Sequence, residues 1–210
     1  MITVKTMPVK EKLDHVLENS DIYESFLPNL IVQHLGSKAV QELRQSWSEG
    51  LRPIPPGTPV DDQYEIAYAN WIWLAQTNLH FIREKMGEEG LRLFEDAEVE
   101  ALKRQNSSPS LWMLALIRAV APGTAFRMTA RNFAYQLQWL TPFTVVDLSK
   151  RQFVASITRC KILGYPGSEE VCQIGCQQVY PHWVREQFKV QMSYKRKDHS
   201  CTCLVTPLNS

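Results

Sequence analysis

The chain has 210 residues, a formal net charge of +1, 44% hydrophobic and 21% charged residues, the profile of an ordinary globular protein with room for one sizeable domain. The near-neutral balance gives no reason to expect a nucleic-acid or membrane partner, and the only short basic run, Lys195-Arg196-Lys197, reads as the solvated end of a hairpin. The longest apolar stretch, residues 67–75, is broken by Asn70 and is too short to span a bilayer.

The opening M-I-T-V-K-T-M-P-V-K-E-K lacks the apolar run of a signal peptide, so a cytoplasmic protein is expected, in a compartment that keeps thiols reduced. Residues 10–19 predict a short amphipathic helix with Leu13, Val16 and Leu17 on one face. Asp21 is placed to cap a second segment, which Pro28 is expected to interrupt. After Gly36, Ser37 starts a third helix with Val40, Leu43 and Trp47 on one side. Together residues 1–50 read as a helical arm, and its face of Leu43 and Trp47 is a candidate surface for homo-oligomer contacts. His15 and His34 read as surface or packing residues. Residues 51–62 carry four prolines and predict a semi-rigid linker, with an α+β domain over 63–210.

Residues 62–86 predict the longest helix. Tyr64, Tyr68, Trp71, Ala75, Leu79 and Ile82 recur at steps of three and four, the period of a buried face. A second stripe, Asn70, Trp73, Thr77 and His80, mixes polar and aromatic groups, so Asn70, Trp73 and His80 are candidate contacts to a small-molecule ligand; hydrogen-bonded core or surface positions are the plainer reading. Gly87 ends this helix. A charged helix follows over 88–105, where Glu95, Asp96, Glu98 and Glu100 read as a solvated face because no E-x-x-H pattern accompanies them. N-S-S-P-S at 106–110 breaks it, with Ser108-Pro109 a candidate cap for the next helix. Residues 111–120 are strongly apolar and predict a buried helix. The alternation Phe133, Tyr135, Leu137, Trp139 predicts a strand, with a short helix in competition. Residues 143–148 and 153–163 read as further strands, the last with Cys160 near its end. Ser168 is expected to cap a helix bearing Glu169 and Glu170 in its first turn, and residues 188–195 and 201–205 form an antiparallel hairpin. The fold class is therefore α+β: helices first, then a small mostly antiparallel sheet with an inserted cysteine-bearing helix.

All five cysteines fall between Cys160 and Cys203. An odd number argues against a complete disulfide framework. Cys172 and Cys176, four apart, share one helix face with Glu169; Cys201 and Cys203 share a strand face. Three readings stand at this point. Cys160, Glu169, Cys172 and Cys176, or a set in which Cys201 or Cys203 replaces one of them, can supply four ligands to zinc or iron. A thiol near a helix N-terminus can act as a nucleophile with His182 or His199 as base. Buried cysteines can also simply pack.

The segments N-W-x-W-L-A at 70–75, R-C-K-I-L-G at 159–164, the acidic cysteine-bearing helix at 169–176 and F-K-V-x-M-x-Y-x-R-K-D-H-S-C at 188–201 resemble the L-2-amino-thiazoline-4-carboxylic acid hydrolase family over roughly residues 62–205. The chain departs from that pattern in two places: Gln177 and Gln178 follow Cys176 where an Asp is usual, and Cys203 takes a position usually aromatic or aliphatic. Glu169-x-x-Cys172 is similar to a piece of the vinyl-reductase type of small-molecule-binding domain, some of which hold zinc. The resemblance implies hydrolysis of a C–N or C–S bond in a small heterocycle of thiazoline or cyclic amidine type. The expected site has Cys172 and Cys176 as the reactive or ligating pair, Cys160 and Cys201 completing it and Glu169 as ligand or base; His182 is an outside candidate for proton transfer, a surface histidine being the plainer reading. The alternative is a non-enzymatic small-molecule-binding or sensor domain with a structural cysteine/glutamate metal site.

Overall fold

Tyr64, Tyr68, Trp71, Ala75, Leu79 and Ile82 form one buried stripe along a helix, and the other layers are laid against it. The computed structural model describes residues 4–106 and 110–208. Five long helices come first: α1 (Val9–Leu35), α2 (Ser37–Gly50), α3 (Val60–Gln105), α4 (Ser110–Val120) and α5 (Pro122–Gln136). The strands are β1 (Thr144–Leu148), β2 (Phe153–Ile157), β3 (Val190–Lys197) and β4 (Ser200–Pro207), in one antiparallel sheet of order β1-β2-β4-β3. Between β2 and β3 runs a composite helix: α6 (Glu169–Val171), a π-helical segment (Cys172–Val179) and α7 (Tyr180–Phe188). The class is α+β, as the sequence pattern indicates.

Helix α1 lies along α3 and α2 packs beside both. One continuous core takes side chains from α1 and α2 as well as from the sheet. Leu43 and Trp47, the expected oligomer face, are buried inside the chain: the Trp47 indole N–H donates to Asn78 Oδ1 of α3 at 2.6 Å. The proline-rich connector is pinned to α3, since Asn70 accepts from the Arg52 N–H at 2.9 Å and donates to the Arg52 carbonyl at 2.8 Å.

Several local expectations are corrected. Pro28 does not interrupt α1, which runs through it; the carbonyl it fails to serve belongs to the exposed Glu24, where water can replace the missing donor. Asp21 therefore lies inside a helix rather than capping one. Gly87 does break α3, with φ of 67°, a conformation that costs glycine little. The helix over 110–120 is not buried: Trp112, Met113, Leu116 and Val120 are exposed, while Leu111, Leu114 and Ile117 are half-buried, because α4 packs chiefly on α5. Residues 133–140 are not a strand. They finish α5 and form a 3-10 turn, Leu137–Trp139, with Phe133 and Ala134 both buried. Their alternation of large and small side chains fits either period over so short a run. The strand ending near Cys160 stops at Ile157, and Cys160 lies in the loop before the 3-10 turn Ile162–Gly164. Ser168 does not cap α6 with its side chain; its hydroxyl sits 2.5 Å from the Ile162 carbonyl and 2.7 Å from the Tyr165 carbonyl, fastening the preceding turn instead. The Ser108-Pro109 cap lies outside the described residues.

The π-helical segment runs to just before Pro181, and its geometry accommodates the proline. Pro181 has no N–H, and its ring would strike the carbonyl of Gln177 in an α-helix. The wider turn, in which the Tyr180 N–H reaches the Gly175 carbonyl five residues back, relieves that clash. Such segments are rare and concentrate at functional sites. Here it carries both helix cysteines.

A candidate active site lined by five thiols

The turn Asp198-His199, with Asp198 at φ of 51°, fixes the β3–β4 register, which sets Arg196 opposite Cys201 and Tyr194 opposite Cys203. On the other side of β4, Ala155 and Ile157 of β2 face the same two cysteines. The π-helical segment covers this patch. The result is one cavity lined by all five cysteines, with Tyr194 and Arg196 from β3 and apolar groups including Leu137, Phe143 and Ile162. It leaves about 30 Å³ for the centre of a water-sized sphere, room for one or two waters. Its wall is apolar. Leu137, Phe143 and Arg196 also reach solvent, so the void approaches the surface on that side.

The thiols are not equivalent. Cys172 is held below the ordinary thiol range, at about 7, first by the hydrogen bond from Cys176 and further by the positive charge of Arg196 and a contact from Gln177, against the opposing effect of burial. Its partner Cys176 is driven well above that range by the same hydrogen bond and by burial. Burial pushes Cys201 up to about 11 and Cys203 up to about 12. Cys160 is also raised by burial, although the backbone amides of Leu163 and Ile162 approach its sulfur and act the other way. The Cys172–Cys176 pair is thus the part of the lining that gives up a proton most readily, with Cys172 the lowered partner. The Tyr194 hydroxyl is a second prepared group. It is buried, has no well-formed hydrogen bond, and lies beside the Cys203 thiol; a buried hydroxyl left in that state is costly and asks for a partner.

No family model, no curated protein and no solved structure matches this chain. The site therefore stands on its own geometry.

That geometry brings Cys160, Cys172, Cys176 and Cys201 together, and adds Cys203. It does not bring in Glu169, which is exposed and outside the cavity lining. Among the described residues no group of three or more His, Cys, Asp or Glu is arranged to hold a metal ion. His182 sits on α7 with its ring 3.5 Å from Glu95 and 3.3 Å from Glu186, beside a separate surface recess. The His199 carbonyl accepts from the Cys160 N–H at 2.8 Å, and its side chain is exposed and outside the lining. The expected ligand contacts are elsewhere too. Asn70 holds the connector, Trp73 donates to the Trp47 carbonyl at 3.2 Å, and His80 is exposed beside Glu84. Tyr194 and Arg196 are the residues that sequence reasoning missed. Counting back from the Asp198-His199 turn would have found them, because the hairpin register places them across from the two strand cysteines.

Proposed function

We propose that this protein is a cysteine-dependent hydrolase acting on a small heterocycle of the thiazoline or cyclic amidine type, with Cys172 as its nucleophile. The observation that carries this reading is that all five thiols line one cavity, and that the adjacent Cys172–Cys176 pair, with the Arg196 cation on the same lining, is the place where a thiol is held low. The Cys172 thiolate adds to the sp² ring carbon of the C=N bond, and the electron pair moves onto nitrogen, which takes up a proton. Collapse of the adduct breaks the ring's carbon–heteroatom bond and leaves the carbon on Cys172. Water adds to that carbon, and Cys172 departs as a thiolate; one water is consumed and the thiol is restored. The Tyr194 O–H is the donor available to the charge that develops on the ring heteroatom. The apolar wall favours a small, flat substrate, and the void must widen on the Leu137, Phe143 and Arg196 side to admit one.

The test is mass spectrometry of the protein quenched during reaction with 2-amino-thiazoline-4-carboxylate and with a simple cyclic amidine, alongside release of the ring-opened product. A substrate-sized adduct on the Cys172 peptide, absent in Cys172→Ser, supports the reading. Saturable binding with no adduct and no product, unchanged in Cys172→Ser, would make the cavity a binding site without chemistry.

A further inference from the structure

A second cavity lies on the other side of the π-helical segment, and its lining is of a different kind. Glu98 of α3 faces it together with Asn19 and Tyr23 of α1, Trp71 and Phe94 of α3, and Tyr180 of α7. We propose that this cavity binds a primary ammonium group, with the Glu98 carboxylate and the Asn19 side-chain carbonyl as acceptors and the aromatic rings as walls.

Three features of the lining argue for a cation. Glu98 has no hydrogen bond and no ion pair among the described residues, and no lysine or arginine is among the lining residues. Glu98 is half-buried, and a carboxyl withdrawn this far into a cavity without a counter-charge is uncommon, since such charges are usually paired. Second, Asn19 donates through Nδ2 to the His15 carbonyl at 2.7 Å, so its Oδ1 is left as an acceptor. Third, four rings surround these acceptors, and Tyr23 stacks on Phe94 with centroids 6.4 Å apart; ring faces attract cations. The space, about 20 Å³ for the centre of a water-sized sphere, suits a group of ammonium size.

The charged and titratable groups that face Glu98 are few. Glu95 lies one turn away on the same helix and is 3.5 Å from His182 of α7; Tyr23 comes from α1, Cys176 from the π-helical segment and Tyr180 from α7. Burial, and then the Glu95 charge, hold the Glu98 carboxyl up at about 8. A bound ammonium supplies the missing opposite charge, so below that value binding must expel the Glu98 proton. The site is separate from the thiol chemistry proposed above, although Cys176 lines both cavities.

The experiment is calorimetric titration of the full chain with methylammonium chloride against sodium chloride at matched ionic strength, in two buffers of different ionisation enthalpy, at pH 7 and pH 9. Methylammonium resembles a lysine ammonium and stays mostly charged over that range. The expected result is saturable binding to one site, about tenfold tighter at pH 9 than at pH 7, with close to one proton released at pH 7 and almost none at pH 9. Glu98→Gln should abolish it, and Cys172→Ser should leave it intact, which separates this site from the hydrolase reading. Absence of saturable binding, an equal response to sodium, or the same proton count at both pH values would overturn the proposal. The proton count is made on the unsubstituted protein, so it decides the matter even if Glu98→Gln does not fold.

Discussion

Replacing Cys176 with alanine should move the titration of Cys172 rather than simply slow it. The Cys176 hydrogen bond is the largest influence holding Cys172 at about 7. Without it Cys172 should return to roughly 8.5 or above, the ordinary thiol value, since burial acts in that direction. Two opposing effects follow. At pH 6 the thiolate fraction falls about thirtyfold. The intrinsic nucleophilicity of the thiolate rises, by about fivefold for about 1.5 units at a Brønsted slope near 0.45. Alkylation of Cys172 should therefore be about sixfold slower in Cys176→Ala at pH 6 and about fivefold faster at pH 10, and the two profiles should cross between them. The assay is site-resolved mass spectrometry of chloroacetamide labelling from pH 5.5 to 10.5. Opening of the cavity scales every rate but leaves the midpoint of each profile in place, so the buried position of Cys172 does not obscure the result. Profiles that keep the same midpoint, or an unsubstituted midpoint above about 8.5, would refute the claim that this thiol is prepared by its partner.

Tyr194→Phe should lower turnover by about a hundredfold if its hydroxyl serves as the donor to developing charge, while leaving thermal stability unchanged or improved, since it removes a buried hydroxyl without a well-formed partner; a fall in both would mark a structural role. Glu98→Gln should stabilise the fold at alkaline pH. The folded value of about 8 lies above the unfolded carboxyl value, so the contribution of Glu98 is fully present below about pH 4.3 and is lost as pH rises to 8; denaturant titrations at pH 4 and pH 9 should show the variant gaining a few kcal/mol at the higher pH. Gly50→Ala should destabilise by about 1–3 kcal/mol, because its new Cβ would sit 2.1 Å from the Trp73 ring; adding Trp73→Leu should recover part of that loss in urea unfolding. Asn78→Ala should cost about 1–3 kcal/mol by stranding the buried Trp47 N–H, which thermal melting can read.

The sequence exposed the elements with strong periodicity or strong punctuation. The stripe from Tyr64 to Ile82, the break at Gly87 and the closing hairpin are all readable, because each rests on local chemistry: helical spacing, a glycine at positive φ, a short polar turn. The misses share a different cause. Residues 133–140 and 110–120 are short apolar runs whose period or burial is decided by what packs on them, and α4 is left open because it has chiefly α5 as a neighbour. The carboxylates of 95–100 read as one solvated face. Only the tertiary approach of α1 and the π-helical segment singles out Glu98 from Glu95, Asp96 and Glu100.

The cysteines show where sequence and structure divide the work. Their clustering within 44 residues marked the site, and the i, i+4 spacing of Cys172 and Cys176 placed two of them on one face. Spacing could not rank them, because reactivity depends on what each sulfur meets. The helix that carries Cys172 and Cys176 takes a wide turn just ahead of Pro181, and Arg196 reaches the same void only through the register of β3 on β4. A histidine partner, the usual expectation for a reactive cysteine, lies outside the lining of this cavity: His182 is committed to Glu95 and Glu186. A second thiol and an arginine stand beside Cys172 instead, so in the proposed hydrolase the nucleophile would be prepared by hydrogen bonding and charge rather than by a base. That difference has a kinetic consequence. A thiolate–imidazolium pair loses activity on the alkaline side when the imidazolium gives up its proton, whereas here no imidazole limb is expected, and the acid limb of the rate profile should follow Cys172 and move with Cys176.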